Sequence, residues 1–115
     1  MDVPQHIQDK LAQYQNLQNQ IQMISIQKQQ LMLAKTDLEN AKKELETVAE
    51  GRIYRMVGPL LIETGKEACQ KFVKEEQDTA DAKINILEKQ EKKIVEKMND
   101  MRAELQSALA PPKAG

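Results

Sequence analysis

Aromatic side chains are nearly missing from this 115-residue sequence. Tyr14, Tyr54 and Phe72 are all there are, and tryptophan is absent. A buried aromatic removes roughly 150–250 Å² from water, so a compact globular core is hard to fill without them. The single cysteine, Cys69, excludes a disulfide within the chain and gives no sign of an oxidising compartment. Neither sign of charge dominates: a net charge of −1 sets up no global field to draw in nucleic acid or an anionic membrane. No stretch approaches the roughly 20 apolar residues that span a bilayer. The first residues, MDVPQHIQDK, carry neither the basic region nor the apolar run of a signal peptide, so a soluble, cytoplasmic chain is expected. At this length the chain is expected to form a single domain over residues 1–115.

Catalytic and metal-binding patterns are also missing. His6 is the only histidine, and it has no Cys or carboxylate at metal-ligand spacing. Cys69 has no His or acid placed to activate it. The glycines are scattered and make no phosphate loop. The expectation is no enzyme, no cofactor, no metal and no catalytic residue.

What is present is Ala, Glu, Lys, Leu and Gln, with 30% charged residues, a profile of long helices and coiled coils. Leu17, Ile24, Leu31, Leu38 and Leu45 recur every seventh position, flanked at three residues by Tyr14, Ile21, Ala34, Ala41 and Val48. Pro4 suits a first helical turn, and Gly51 suits the left-handed residue that often follows a helix. These signals predict a helix over about 5–49. A second series, Val73, Ala80, Leu87, Ile94, Met101 and Ala108, runs beside Ile84, Met98 and Leu105, with Gln77 and Glu91 interrupting. Thr64 is the expected N-cap, with Glu67 at capping-box spacing. Pro111 and Pro112 end the helix, predicting a span of about 66–109 and a flexible tail at 110–115.

Each apolar stripe is narrow and needs a partner. One antiparallel register brings Leu45 to Val73, Leu38 to Ala80, Leu31 to Leu87, Ile24 to Ile94 and Leu17 to Met101, and in the other layer Ala34 to Ile84. The fold expected is mainly α: a long antiparallel two-helix coiled coil with one β-hairpin at the helix–helix connection. Lys28, Lys35 and Lys42 lie at the stripe's edge. Their stems are expected to cover the seam while the ammonium groups reach water, or else to fix register against Glu76 or Glu91.

The connection, RIYRMVGPLLIET, predicts a hairpin over about 52–64. Gly58-Pro59 suits a two-residue type II′ turn. Ile53 and Val57 fall on one face, Tyr54 and Met56 on the other, and Leu60, Leu61 and Ile62 on both. An isolated two-stranded hairpin is marginal in water and its edges invite pairing. These seven apolar residues are therefore expected to join hairpins of other chains.

The segments PQHIQDKLAQYQNLQNQIQMISIQKQQL, IYRMVGPLLIET, LEKQEKKIVEKMNDMRAELQ and SALAPPKAG resemble the β-type subunits of the prefoldin family over essentially the whole chain. That resemblance implies a chaperone that needs no ATP. It implies a hexamer of two α-type and four β-type subunits, with the hairpins forming a body of β-barrels. Coiled-coil tips would hold non-native polypeptides and pass them to a group II chaperonin. The tip residues implied here are Val3, Ile7, Leu11, Met98, Met101, Leu105 and Leu109, exposed where helix ends splay. Methionines suit irregular partners. The alternatives are a coiled-coil scaffold that ignores unfolded chains, and a basic-zipper nucleic-acid binder, for which DVPQHIQDKLAQYQ is too neutral.

Overall fold

The computed structural model describes residues 3–48 and 51–109, so the expected tail at 110–115 lies outside the described residues. Helix α1 spans Gln5–Thr47, strand β1 Ile53–Val57, strand β2 Leu60–Thr64 and helix α2 Lys66–Leu109. The chain divides into two compact units, Met1–Gln27 with Ile86–Gly115, and Lys28–Asn85. Both helices contribute to both units.

In the Lys28–Asn85 unit, the covered positions of α1 are Lys28, Leu31, Lys35, Leu38, Ala41 and Leu45, and those of α2 include Cys69, Val73, Gln77, Ala80 and Ile84. Leu45 and Val73 line one groove, as the expected register requires. Ala34, expected opposite Ile84, is exposed, and Lys35 takes the seam position instead. One residue turns a helix by about 100°, so only one of the two can face the seam. Position 35 continues the seven-residue series through 28. The Lys35 stem covers the seam while Nζ reaches Asp81 Oδ1 at 2.5 Å. Lys35 thus pairs with Asp81, and Lys42 is exposed. Gln77, the polar interruption in α2, donates to Glu39 Oε2 at 3.1 Å.

In the other unit, Ile24 and Ile94 line one groove, in keeping with the same register. Ile7, Ile24 and Leu105 are its buried apolar side chains, with Leu17, Ile21, Met98 and Met101 half-buried.

Two expectations about the connection, the Gly51 stop and the Thr64 cap, are corrected. Helix α1 stops at Thr47, whose Oγ1 donates to the Glu44 carbonyl at 2.8 Å. Gly51 does not adopt the left-handed conformation; Gly58 is the one described residue with positive φ, at 57°. Instead of a glycine cap, Lys66 Nζ donates to the Val48 carbonyl at 2.8 Å, as lysines near helix C-termini do. The cap of α2 is Gly65, whose carbonyl accepts the first helical bond from Cys69 N at 3.0 Å. Thr64 ends β2 instead, its hydroxyl donating to the Ile62 carbonyl.

The strands pair antiparallel, Val57 with Leu60, Arg55 with Ile62 and Ile53 with Thr64. Positive φ at Gly58 followed by Pro59, whose ring holds φ negative, leaves type II′ as the primed turn that fits.

Candidate assembly face and helix ends

Alternation along paired strands puts cross-strand partners on the same face. Tyr54, Met56, Leu61 and Glu63 form one face and are all exposed, Met56 at 71% and Leu61 at 66%. Arg52 Nε lies 4.0 Å from Glu63 Oε1, an exposed contact. The other face carries Ile53, Arg55, Val57, Leu60, Ile62 and Thr64. Only Ile53, Arg55 and Thr64 are half-covered there; Val57, Leu60 and Ile62 remain exposed. Six of the seven residues expected to join other chains are thus exposed, and Ile53 is the half-buried exception. The sheet has two strands, so each also has an outer edge with no neighbouring strand among the described residues.

The covered base of the hairpin is held by Arg55. Its guanidinium carbon sits 4.7 Å from the centroid of the Phe72 ring on α2, a cation–π distance. Arg55 Nε is buried with no hydrogen-bond partner among the described residues, and the ring face lies against its guanidinium. Sequence reasoning missed this contact. Parity placed Arg55 on the face of Ile53 and Val57, but the face that meets α2 was set by the packing.

The seven residues expected to meet non-native chains separate by exposure. Val3, Leu11 and Leu109 are exposed, Met98 and Met101 are half-buried, and Ile7 and Leu105 are buried at 4% and 6%. Leu11, Leu105 and Leu109 nevertheless line one open, mostly apolar groove with Tyr14, Arg102 and Gln106. Two polar contacts cross between the helices beside it. Lys10 Nζ meets Glu104 Oε2 at 2.6 Å, and Arg102 donates from Nη2 and Nε to the Tyr14 hydroxyl at 2.8 and 3.2 Å. Apolar residues outside the seam were also missed: Met23, Ile26, Met32, Leu33, Ile86 and Val95 are exposed.

Among the described residues no three or more His, Cys, Asp or Glu side chains come together as a metal site, and no helix is long and apolar enough to cross a membrane. Two seam-packed helices joined by an apolar hairpin define the class: a coiled-coil protein with a β-hairpin connection. The chain belongs to the prefoldin family, whose role is chaperone; the family model described as "Prefoldin subunit" matches residues 8–111. The prefoldin subunit beta of Thermococcus kodakarensis is 36% identical, over 99% of this chain and 98% of its own. That of Pyrococcus horikoshii is 35% identical over the same shares. The crystal structure of the prefoldin beta subunit from Thermococcus strain KS-1 superposes with a TM-score of 0.85 at 36% identity, covering 96% of this chain and 98% of that one. The beta2 subunit of the same strain gives a TM-score of 0.71 at 28% identity, covering 78% and 97%. Family membership implies assembly with other prefoldin subunits.

Proposed function

We propose that the chain is a β-type subunit of a cytoplasmic hexamer of two α-type and four β-type subunits, acting as a holdase without ATP or catalysis. Its hairpin joins those of neighbouring subunits, and its helix ends hold non-native polypeptides for delivery to a group II chaperonin. The observation that supports this most is the hairpin itself. Tyr54, Met56, Val57, Leu60, Leu61 and Ile62 leave apolar surface open on both of its faces, and a lone hairpin does not stay soluble that way.

Client contact rests on Val3, Leu11 and Leu109, with Met98 and Met101 reachable at the seam's edge. Each such contact is weak, on the order of 1 kcal/mol at about 25 cal/mol per Å². Several subunits acting together supply avidity without a sequence code, and weak contacts release without ATP.

The test mixes this chain with an α-type prefoldin subunit and follows light scattering as a chemically unfolded protein is diluted in without ATP. The assembled complex should suppress aggregation. Leu11→Ser with Leu109→Ser should weaken that suppression while assembly and helicity stay intact, since both side chains are exposed. Undiminished aggregation in the presence of a correctly assembled hexamer would leave the coiled-coil scaffold as the better reading.

A further inference from the structure

A helix pair ordinarily loosens toward its ends, where turns fray. In the Met1–Gln27 and Ile86–Gly115 unit the ends are closed. Ile7 and Leu105, near the ends of α1 and α2, are buried at 4% and 6%, as closely as Ile24 at 7% further in, while Leu17, Ile21, Met98 and Met101 are half-buried.

Two polar contacts between the helices lie beside these closed ends. Lys10, three residues after Ile7, reaches Glu104, the neighbour of Leu105, at 2.6 Å. Arg102, three residues before Leu105, sends both Nη2 and Nε to the Tyr14 hydroxyl, its guanidinium carbon 5.9 Å from the centroid of the same ring. Both contacts tie α1 to α2 within a turn or two of the buried apolar side chains. Both are solvent-facing, with Lys10 and Glu104 side chains 38% and 56% exposed. Exposed contacts of this kind shift an equilibrium only about twofold to fivefold. They are strong enough to bias the helix ends closed and too weak to lock them.

We propose that Lys10–Glu104 and Tyr14–Arg102 act as a latch on the helix ends, and that its opening adds Ile7 and Leu105 to the apolar surface offered to a non-native chain. The proposal rests on the helix-end holdase reading above. In the closed form the offered surface is Val3, Leu11 and Leu109. In the open form two branched aliphatic side chains join it, Ile7 four residues from Leu11 and Leu105 four residues from Leu109, each pair on one helix face. The latch therefore exchanges intramolecular burial for client burial, and its weakness keeps that exchange reversible.

The test uses the assembled complex carrying Tyr14→Phe, Glu104→Gln or both in this chain. Tyr14→Phe keeps the ring beneath Arg102 and removes the acceptor hydroxyl; Glu104→Gln keeps shape and removes charge. Amide hydrogen exchange is read over residues 5–14 and 100–109, with 66–80 as the internal control for folding. Binding is read with reduced, carboxymethylated α-lactalbumin, a permanently unfolded probe. The double variant should exchange about threefold faster or more at the helix ends with no change at 66–80, and bind the probe about twofold to fivefold tighter. Unchanged exchange would overturn the latch. Faster exchange without tighter binding would overturn its link to clients. In both cases the holdase reading stands if the unmodified complex binds the probe and loses it with Leu11→Ser and Leu109→Ser. If the unmodified complex binds no probe, that reading falls and takes the link with it.

Discussion

The Arg55 guanidinium lies face-on to Phe72, 4.7 Å from the ring centroid, and this contact ties β1 to α2. One of only three aromatic residues in the chain is thus used to seat the hairpin on a helix, not to fill a core. Phe72→Leu keeps apolar volume but loses the ring face, and should cost about 0.5–1 kcal/mol. Phe72→Ala should cost about 2 kcal/mol, below the range for a fully buried ring because Phe72 is half-buried. Urea unfolding at fixed chain concentration measures both. Amide exchange over residues 53–64 should quicken in the alanine variant.

Gly58→Ala isolates the backbone contribution of the turn. A Cβ there would meet nothing within 4 Å, so the cost comes from φ of 57° alone. Roughly 1–2 kcal/mol of destabilisation is expected. Gly51→Ala, at a residue without positive φ and with equally open surroundings, should be close to neutral. Thermal unfolding of the two variants side by side checks the difference.

Ile24 and Ile26 differ in sequence by two positions and in burial by nearly everything: 7% against 56% exposed. Ile24→Ala should cost about 2–3 kcal/mol by losing buried methyl groups. Ile26→Ala should stay within about 0.5 kcal/mol. Melting followed by circular dichroism distinguishes them, and equal losses would mean that Ile26 is covered in the assembled state.

Met56→Lys with Leu61→Lys places charge on the fully exposed face of the hairpin. Helix content should be unchanged, because neither residue is covered within the chain. Assembly with an α-type subunit should fall sharply, as seen by size-exclusion chromatography with light scattering. Normal assembly would remove that face from the interface.

The Lys35–Asp81 pair, at 2.5 Å with both side chains about half exposed, should contribute little. A double-mutant cycle with alanine should give at most about 1 kcal/mol at low salt. Most of that should vanish at 1 M salt, where the screening length is about 3 Å.

Most of the helical seam could be read from the residues. The Val73 to Met101 series and its companions Ile84, Met98 and Leu105 are all covered positions of α2, because seven-residue spacing dictates which side of a helix they share. The failures come where two residues compete for one place. Ala34 and Lys35 are one position apart; apolarity favoured alanine, but the register with α2 gave the seam to lysine, whose stem is apolar and whose tip found Asp81. Thr64 and Gly65 competed for the cap of α2, and pairing with Ile53 kept Thr64 in the strand. Gly51 looked like a helix stop, yet Lys66 met the Val48 carbonyl from α2, a partner that adjacency in sequence does not reveal.

By itself, then, the sequence determined the two helices, the hairpin between them, its II′ turn at Gly58-Pro59 and the family to which they belong. The helices, the hairpin and the turn follow from periodicity, from the φ preferences of glycine and proline, and from local composition; the family rests on the resemblance of whole segments. The tertiary structure alone decided which apolar residues remain in water. Ile7 and Leu105 are buried while Leu11 and Leu109 are exposed, and Arg55 rests on Phe72, because burial depends on what the facing element brings to each side chain. No pattern within one helix or one strand carries that information.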